Sequence, residues 1–173
     1  TILKEKDSAL VLSRYNQVRS LNTQYDVVPL GEVLDYEQPT KYIVKSVNYD
    51  DTYETPVLTA GKSFILGYSN ETEGIFKEKL PVIIFDDFTT ATQYVDFPFK
   101  VKSSAMKILH AKEDLADIEY LYHVMQEIDF DSKEHKRYWI SQYSKILIPL
   151  PPLDKQREIV QDIKAKQSEI SVL

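Results

Sequence analysis

The sequence predicts an α+β fold: a mainly β body with packing helices, followed by a long carboxyl-terminal helix of the coiled-coil type. Three observations carry this. Residues 25–112 are rich in Val, Ile, Thr, Tyr and Phe in short runs (KYIVKSV, TPVLTA, KSFILGY, LPVIIFDDF, FPFKVK), separated by Asn70, Gly74, Pro81 and Pro98, the pattern of strands broken by turns. Residues 113–128 instead place Leu115, Ile118, Leu121, Met125 and Ile128 on one helical face, with Asp114 and Asp117 in a first turn where the helix dipole favours acids. Residues 146–153, ILIPLPPL, form a stiff extended stretch, because Pro149, Pro151 and Pro152 fix φ and keep their predecessors out of the helical region; Asp154 then caps a new helix.

In chain order, residues 1–24 read as a helix or linker from a longer chain, with Leu10 or Val11, Tyr15, Val18 and Leu21 three or four apart. A compact unit opens at Tyr25, where Val27-Val28-Pro29-Leu30-Gly31 has the texture of a strand closed by a turn, and it runs to residue 153. Residues 154–173 are the final helix. There Gln156, Val160, Ile163, Gln167 and Ile170 recur at alternating spacings of four and three, with Ile159 and Leu173 alongside, a narrow seam that asks for a partner helix. About 18 residues at ~1.5 Å each make an arm about 27 Å long.

The 173 residues, 43% hydrophobic and 28% charged, suit one folded domain with an appended element. No apolar run reaches the roughly 18 residues of a spanning helix, and TILKEKDSAL is not a secretory signal, so the chain reads as cytoplasmic with no membrane partner. The absence of cysteine excludes disulfides, thiolate metal sites and a cysteine nucleophile. His110, His123 and His135 lie in separate segments, so neither a metal site nor a catalytic triad is readable. A net charge of −6 alone argues against nucleic acid, but the charge is segregated. Residues 100–112 carry Lys100, Lys102, Lys107 and Lys112 without an acid, and residues 132–147 carry Lys133, Lys136, Arg137 and Lys145 against Glu134 alone. Residues 113–131 hold seven acids and no Lys or Arg. Ordinary solvated loops and helix faces are the alternative explanation.

ILIPLPPLDKQREIVQDI resembles the closing signature of target recognition domains in the specificity subunits of type I restriction-modification systems, with Asp154, Gln156 and Arg157 opening the helix. VVPLGEVLDY, TPVLTAGKSFILGYSNETEG, LPVIIFDDFT and DIEYLYHVMQEIDF resemble that family's other segments in order, over residues 25–173. The resemblance implies a non-catalytic module that reads one half of a bipartite site in double-stranded DNA. It implies that the long helix pairs antiparallel with a second one to hold two recognition domains at a fixed separation, through Gln156, Val160, Ile163, Gln167 and Ile170. The implied partners are a DNA adenine methyltransferase, as a subunit or fused domain, and a restriction or translocase subunit. The chain itself needs no cofactor and no metal; S-adenosylmethionine would belong to the methyltransferase, whose Asn-Pro-Pro-Tyr type of motif is absent here. Half of a two-domain subunit, a half-length subunit that dimerises and the end of a methyltransferase fusion all fit.

Reading bases needs side-chain donors and acceptors, with cations for phosphates. Three stretches qualify: Gln38, Thr40, Lys41 and Tyr42; Thr89, Thr90, Thr92 and Gln93; and Lys136, Arg137, Tyr138, Trp139, Ser141 and Gln142. The third is the strongest, since Arg137 suits guanine, Gln142 adenine, and Tyr138 or Trp139 could stack on a base. Trp139 and Tyr143 also suit core positions that seal the sheet edge. Lys62, Lys100, Lys102, Lys107 and Lys136 are candidate phosphate contacts. Asp86-Asp87 suggests a magnesium-dependent nuclease, but lacks a further carboxylate and lysine at short spacing; positioning the threonine loop is its preferred role. A module that assembles proteins without touching DNA is the other alternative.

Overall fold

The computed structural model describes residues 24–172; apart from Gln24, the helix or linker expected over residues 1–24 lies outside them. In chain order come β1 (Val27–Pro29), the single helical turn α1 (Leu30–Val33), β2 (Leu34–Glu37), a 3-10 turn at Thr40–Tyr42, β3 (Thr55–Leu58) and β4 (Ile65–Ser69). Then follow β5 (Val82–Asp86), β6 (Thr92–Val95), β7 (Lys100–Val101), β8 (Met106–Ala111), α2 (Ile118–Gln126), a 3-10 turn at Tyr143–Lys145, β9 (Leu147–Pro149) and α3 (Leu153–Val172).

The apolar run around residues 80–88 becomes β5, the middle of an antiparallel sheet ordered β2-β8-β5-β6. Val82, Ile83, Ile84 and Phe85 are all buried because both faces of this sheet are covered. Ile83 and Phe85 pack with Leu109 against the helices, through Tyr120, Leu121 and Val124 of α2 and Ile159, Val160 and Ile163 of α3. Val82 and Ile84 point the other way, toward Leu58 and Val101 of a second sheet ordered β4-β3-β7. Helices, sheet and sheet therefore make three layers with two cores. β1 pairs with β9, and the Leu150 amide donates to the Asp26 carbonyl, so the chain enters this unit beside the point where α3 leaves it.

The α+β class agrees with the sequence, but several elements differ. KYIVKSV does not form a strand; Ile43 makes one parallel bridge to Val101, and the Lys45 and Ser46 amides donate to the Glu71 carboxylate instead of to a neighbouring strand. Helix α2 starts at Ile118, after Asp117 accepts a hydrogen bond from the Tyr120 amide, which leaves Leu115 before the helix and 44% exposed. Helix α3 begins at Leu153, with Asp154 inside its first turn.

The seam of α3 requires the largest correction. Gln156, Val160 and Ile163 do not await a second helix; they are buried in their own domain against α2. The Gln156 side chain accepts from the Asp117 amide at 2.8 Å and donates to the carbonyls of Leu115 (3.1 Å) and Pro151 (2.8 Å). Lys164 pairs with Glu119 of α2 at 3.0 Å. Beyond it Gln167 is exposed and Ile170 half-buried. An alternation of four and three marks an apolar stripe without saying which helix covers it.

Lys100 is also corrected. It is buried in β7, where Nζ donates to the carbonyls of Glu73 (2.7 Å) and Gly74 (3.0 Å) and lies 3.6 Å from the Glu71 carboxylate, so it braces a loop and cannot meet a phosphate. Gly74 has φ of 64°, and a Cβ there would fall 2.3 Å from the Lys41 carbonyl oxygen. Gly74→Ala is expected to destabilise by about 2–3 kcal/mol, from left-handed strain plus displacement of the 38–42 turn. A urea midpoint equal to that of the unaltered protein would refute this.

Candidate nucleic-acid interface

The registers place several loops at one end of the central sheet. Glu37 pairs with Ile108, Asp86 with Met106 and Phe85 with Thr92, so the carboxyl ends of β2 and β5 and the amino ends of β6 and β8 point the same way. The β5–β6 turn (residues 87–91) and the β7–β8 turn (residues 102–105) project there, and the Ala60 amide brings in the β3–β4 loop by contact with the Met106 sulfur at 3.3 Å. The segment before the 3-10 turn at Tyr143–Lys145 joins them, since the Tyr138 amide donates to the Asp87 carbonyl and the Ser132 hydroxyl to the Thr89 carbonyl.

The two adjacent aspartates divide the work of holding this end. Asp86 accepts from the Phe88 amide (2.9 Å) and the Thr89 amide (3.1 Å), which shapes the threonine turn as the sequence suggests. At its tip Thr90 has φ of 62°, a rare conformation for a β-branched residue. Asp87 points inward, and its carboxylate is 2% exposed. Its Oδ1 accepts from the amides of Tyr138 (3.1 Å) and Trp139 (2.8 Å), while Oδ2 faces Lys107 Nζ at 3.7 Å and Arg137 Nη1 at 3.4 Å. The Arg137 guanidinium lies over the Phe88 ring, 5.0 Å from its centre, and its side chain is 49% exposed. Burial pushes the Lys107 ammonium below its usual pKa, opposed by Asp87 and reinforced by Arg137.

Of the proposed base readers, Arg137, Thr89 and Thr90 are thus brought together. Gln38 is exposed where β2 ends, and Gln142 is exposed with its amide on the Tyr138 carbonyl. Thr40 and Lys41 are exposed, and the turn sets the Lys41 carbonyl against Gly74. Thr92 and Gln93 belong to β6 rather than to the loop; both are half-buried, and the Thr92 hydroxyl already accepts from Gln126 at 2.6 Å. Tyr138 is corrected as a base reader, while Trp139 takes the core position that the sequence also allows, as does Tyr143. Tyr138 and Trp139 are both buried, with Trp139 packed on Phe85 (ring centres 5.3 Å apart) and Tyr143 (6.0 Å), so neither ring can stack on a base.

Lys107 is likewise removed from the phosphate candidates: its side chain is 2% exposed and caps the Tyr36 ring at 4.4 Å. Lys62 and Lys102 remain exposed, and Lys102 donates its amide to Leu58, which sets both near the carboxyl ends of β3 and β7. Lys136 is exposed and paired with Glu134. The sequence reading missed the group formed by Asp87, Lys107, Phe88 and Arg137. Only the Asp87 carboxylate, adjacent to a turn, carried a local signal; Lys107 and Arg137 reach it from distant segments. Among the described residues no cluster of His, Asp or Glu could hold a metal ion, and no helix is long and apolar enough to cross a membrane.

Residues 22–170 match the family model described as the type I restriction modification DNA specificity domain. The chain is 53% identical over 147 residues to the Escherichia coli type I restriction enzyme EcoR124I/EcoR124II specificity subunit, an alignment covering 83% of this chain and 35% of that protein. It shares its fold, at 16% identity and a TM-score of 0.62, with the type I restriction-modification S subunit from M. genitalium, covering 99% of this chain and 51% of that one. The HsdS subunit from Thermoanaerobacter tengcongensis matches at 14% identity and a TM-score of 0.56, with 99% and 51% covered. The chain thus spans about a third of the length of its curated relative and about half that of these structures. With the family model covering nearly all of it, the chain belongs to the type I restriction modification DNA specificity domain family.

Proposed function

We propose that this domain reads one half of a bipartite DNA site without doing chemistry itself, directing a DNA adenine methyltransferase and a restriction subunit to that sequence in the cytoplasm. The observation that carries the reading is the half-exposed Arg137, held on the rigid Asp87 anchor beside the Thr89–Thr90 turn at the loop-bearing end of the sheet. A half-exposed guanidinium brought to the edge of a stiff scaffold can present paired donors to guanine O6 and N7, and hydroxyls and amides at Thr89, Thr90, Gln38 and Gln142 supply further donors and acceptors. Lys62, Lys102 and Lys136 flank the reading loops as phosphate contacts that position the domain. The exposed end of α3, with Gln167 and Ile170, extends toward a second helix that fixes the distance to the other half-site. S-adenosylmethionine belongs to the methyltransferase partner.

The test is to express the complete parent protein with its methyltransferase and map methylated adenines in host DNA. Arg137→Ala is expected to leave the fold intact and relax discrimination at one half-site by about 10–100-fold, the worth of one bidentate base contact. An unchanged methylation motif in that variant would remove Arg137 from the readout. A parent complex that methylates without any sequence preference would favour a purely assembling module.

A further inference from the structure

We infer, resting on the reading just proposed, that Lys107 is a positioning residue for DNA recognition: by neutralising Asp87 from inside the fold, it leaves Arg137 free to exchange that carboxylate for DNA. The geometry separates the two cations. Lys107, 2% exposed and covered by the Tyr36 ring, cannot reach a ligand, whereas Arg137 is half in solvent. The anchor does not need Arg137. Asp87 Oδ1 is already occupied by two backbone amides, and Oδ2 keeps Lys107 as counter-ion when the guanidinium leaves.

Arg137 also holds Asp87 loosely. One nitrogen alone lies within reach, at 3.4 Å, longer than a charge-assisted hydrogen bond, so most of its five donors remain uncommitted to Asp87. One carboxylate facing two cations leaves a surplus positive charge, and that surplus rests on the exposed partner. Without Lys107, Arg137 would be the only counter-ion of a buried carboxylate, and moving it to DNA would strand that charge. The two cations also repel one another, as the downward push of Arg137 on the Lys107 pKa reflects. Lys107 therefore sets how easily Arg137 changes partners, although it never touches DNA.

The experiment measures binding of the complete parent protein, in its methyltransferase assembly, to the duplex that the unaltered assembly methylates. Lys107→Met is expected to weaken binding about tenfold, and to add almost nothing in an Arg137→Ala background, the signature of two residues acting through one another. Asp87→Asn combined with Lys107→Met removes both buried charges while keeping an acceptor for Tyr138 and Trp139, and should restore affinity to within about twofold. Equal weakening by Lys107→Met in both backgrounds, no weakening at all, or failure of the neutral pair to restore binding would each overturn the inference. If Lys107→Met alone does not assemble, the neutral pair decides: preference retained supports the inference, and preference lost overturns it. Should Arg137→Ala leave the methylation motif unchanged, the functional reading itself fails, a result distinct from an Arg137 effect that Lys107 does not modulate.

Discussion

Asp87→Ala is expected to lower unfolding stability by about 3–5 kcal/mol, a large share of what a domain of this size has. The substitution leaves the buried Lys107 ammonium without its counter-ion and the Trp139 amide without its acceptor, while the Tyr138 amide keeps only the Asp87 carbonyl. Those amides belong to a segment some 50 residues downstream, which the same carboxylate fastens to the β5–β6 turn. Loosening it also frees Trp139 and Tyr143 from their contacts with Phe85, so the near-ultraviolet signal of the aromatic cluster should weaken with the urea midpoint. Asp87→Asn keeps an acceptor oxygen for both amides, so its loss should be clearly smaller. Equal midpoints for Asp87→Ala and the unaltered protein would show that the buried ion pair and its two amides contribute nothing net, and with that the rigid anchor assigned to Arg137 would go.

How far the sequence reveals this site depends on whether the signal is local. The prolines of ILIPLPPL dictate an extended exit strand and a helix immediately after it, and β9 and α3 lie there. VIIF is a continuous apolar run because its strand is covered on both faces, and no distant partner is needed to infer that. The turn at Asp86 is equally local. Lys100 and Lys107 were misleading for the opposite reason: a lysine in a β-run reads as exposed, and its burial depends on carbonyls at Glu73 and Gly74 or on a carboxylate at Asp87, none visible from spacing. Trp139 and Tyr138, between a basic stretch and a strand, carry no mark that distinguishes a reading aromatic from one packed on Phe85 and Phe130. Arg137 emerged as a candidate from residue type alone. Its resting place beside Asp87 and over the Phe88 ring emerged only from the fold.

The same distinction governs Gln156, the residue for which pairing with a second helix is replaced by a role inside its own domain. Gln156→Ala is expected to cost about 3–4 kcal/mol, because a fully buried amide would vanish from between three backbone groups and leave a cavity. The Asp117 amide would lose its acceptor, and the carbonyls of Leu115 and Pro151 their donor, around a side chain that is itself fully buried. Glutamate would not substitute: it could accept from Asp117 but would turn a carboxylate oxygen on two carbonyls. Hydrogen exchange locates the damage, with the Asp117 amide and the first turn of α3 losing protection while the central sheet keeps its own. Gln167→Ala, on the exposed part of the same helix, should leave the isolated domain's midpoint unchanged. Equal, small effects at both positions would mean that the helix is not rooted in its own domain. A large effect at Gln156 alone places the root of α3 at the junction of α2, the prolyl stretch and α3, where that amide acts together with the packing of Ile159, Val160 and Ile163 to set the helix's direction relative to the Arg137 loop.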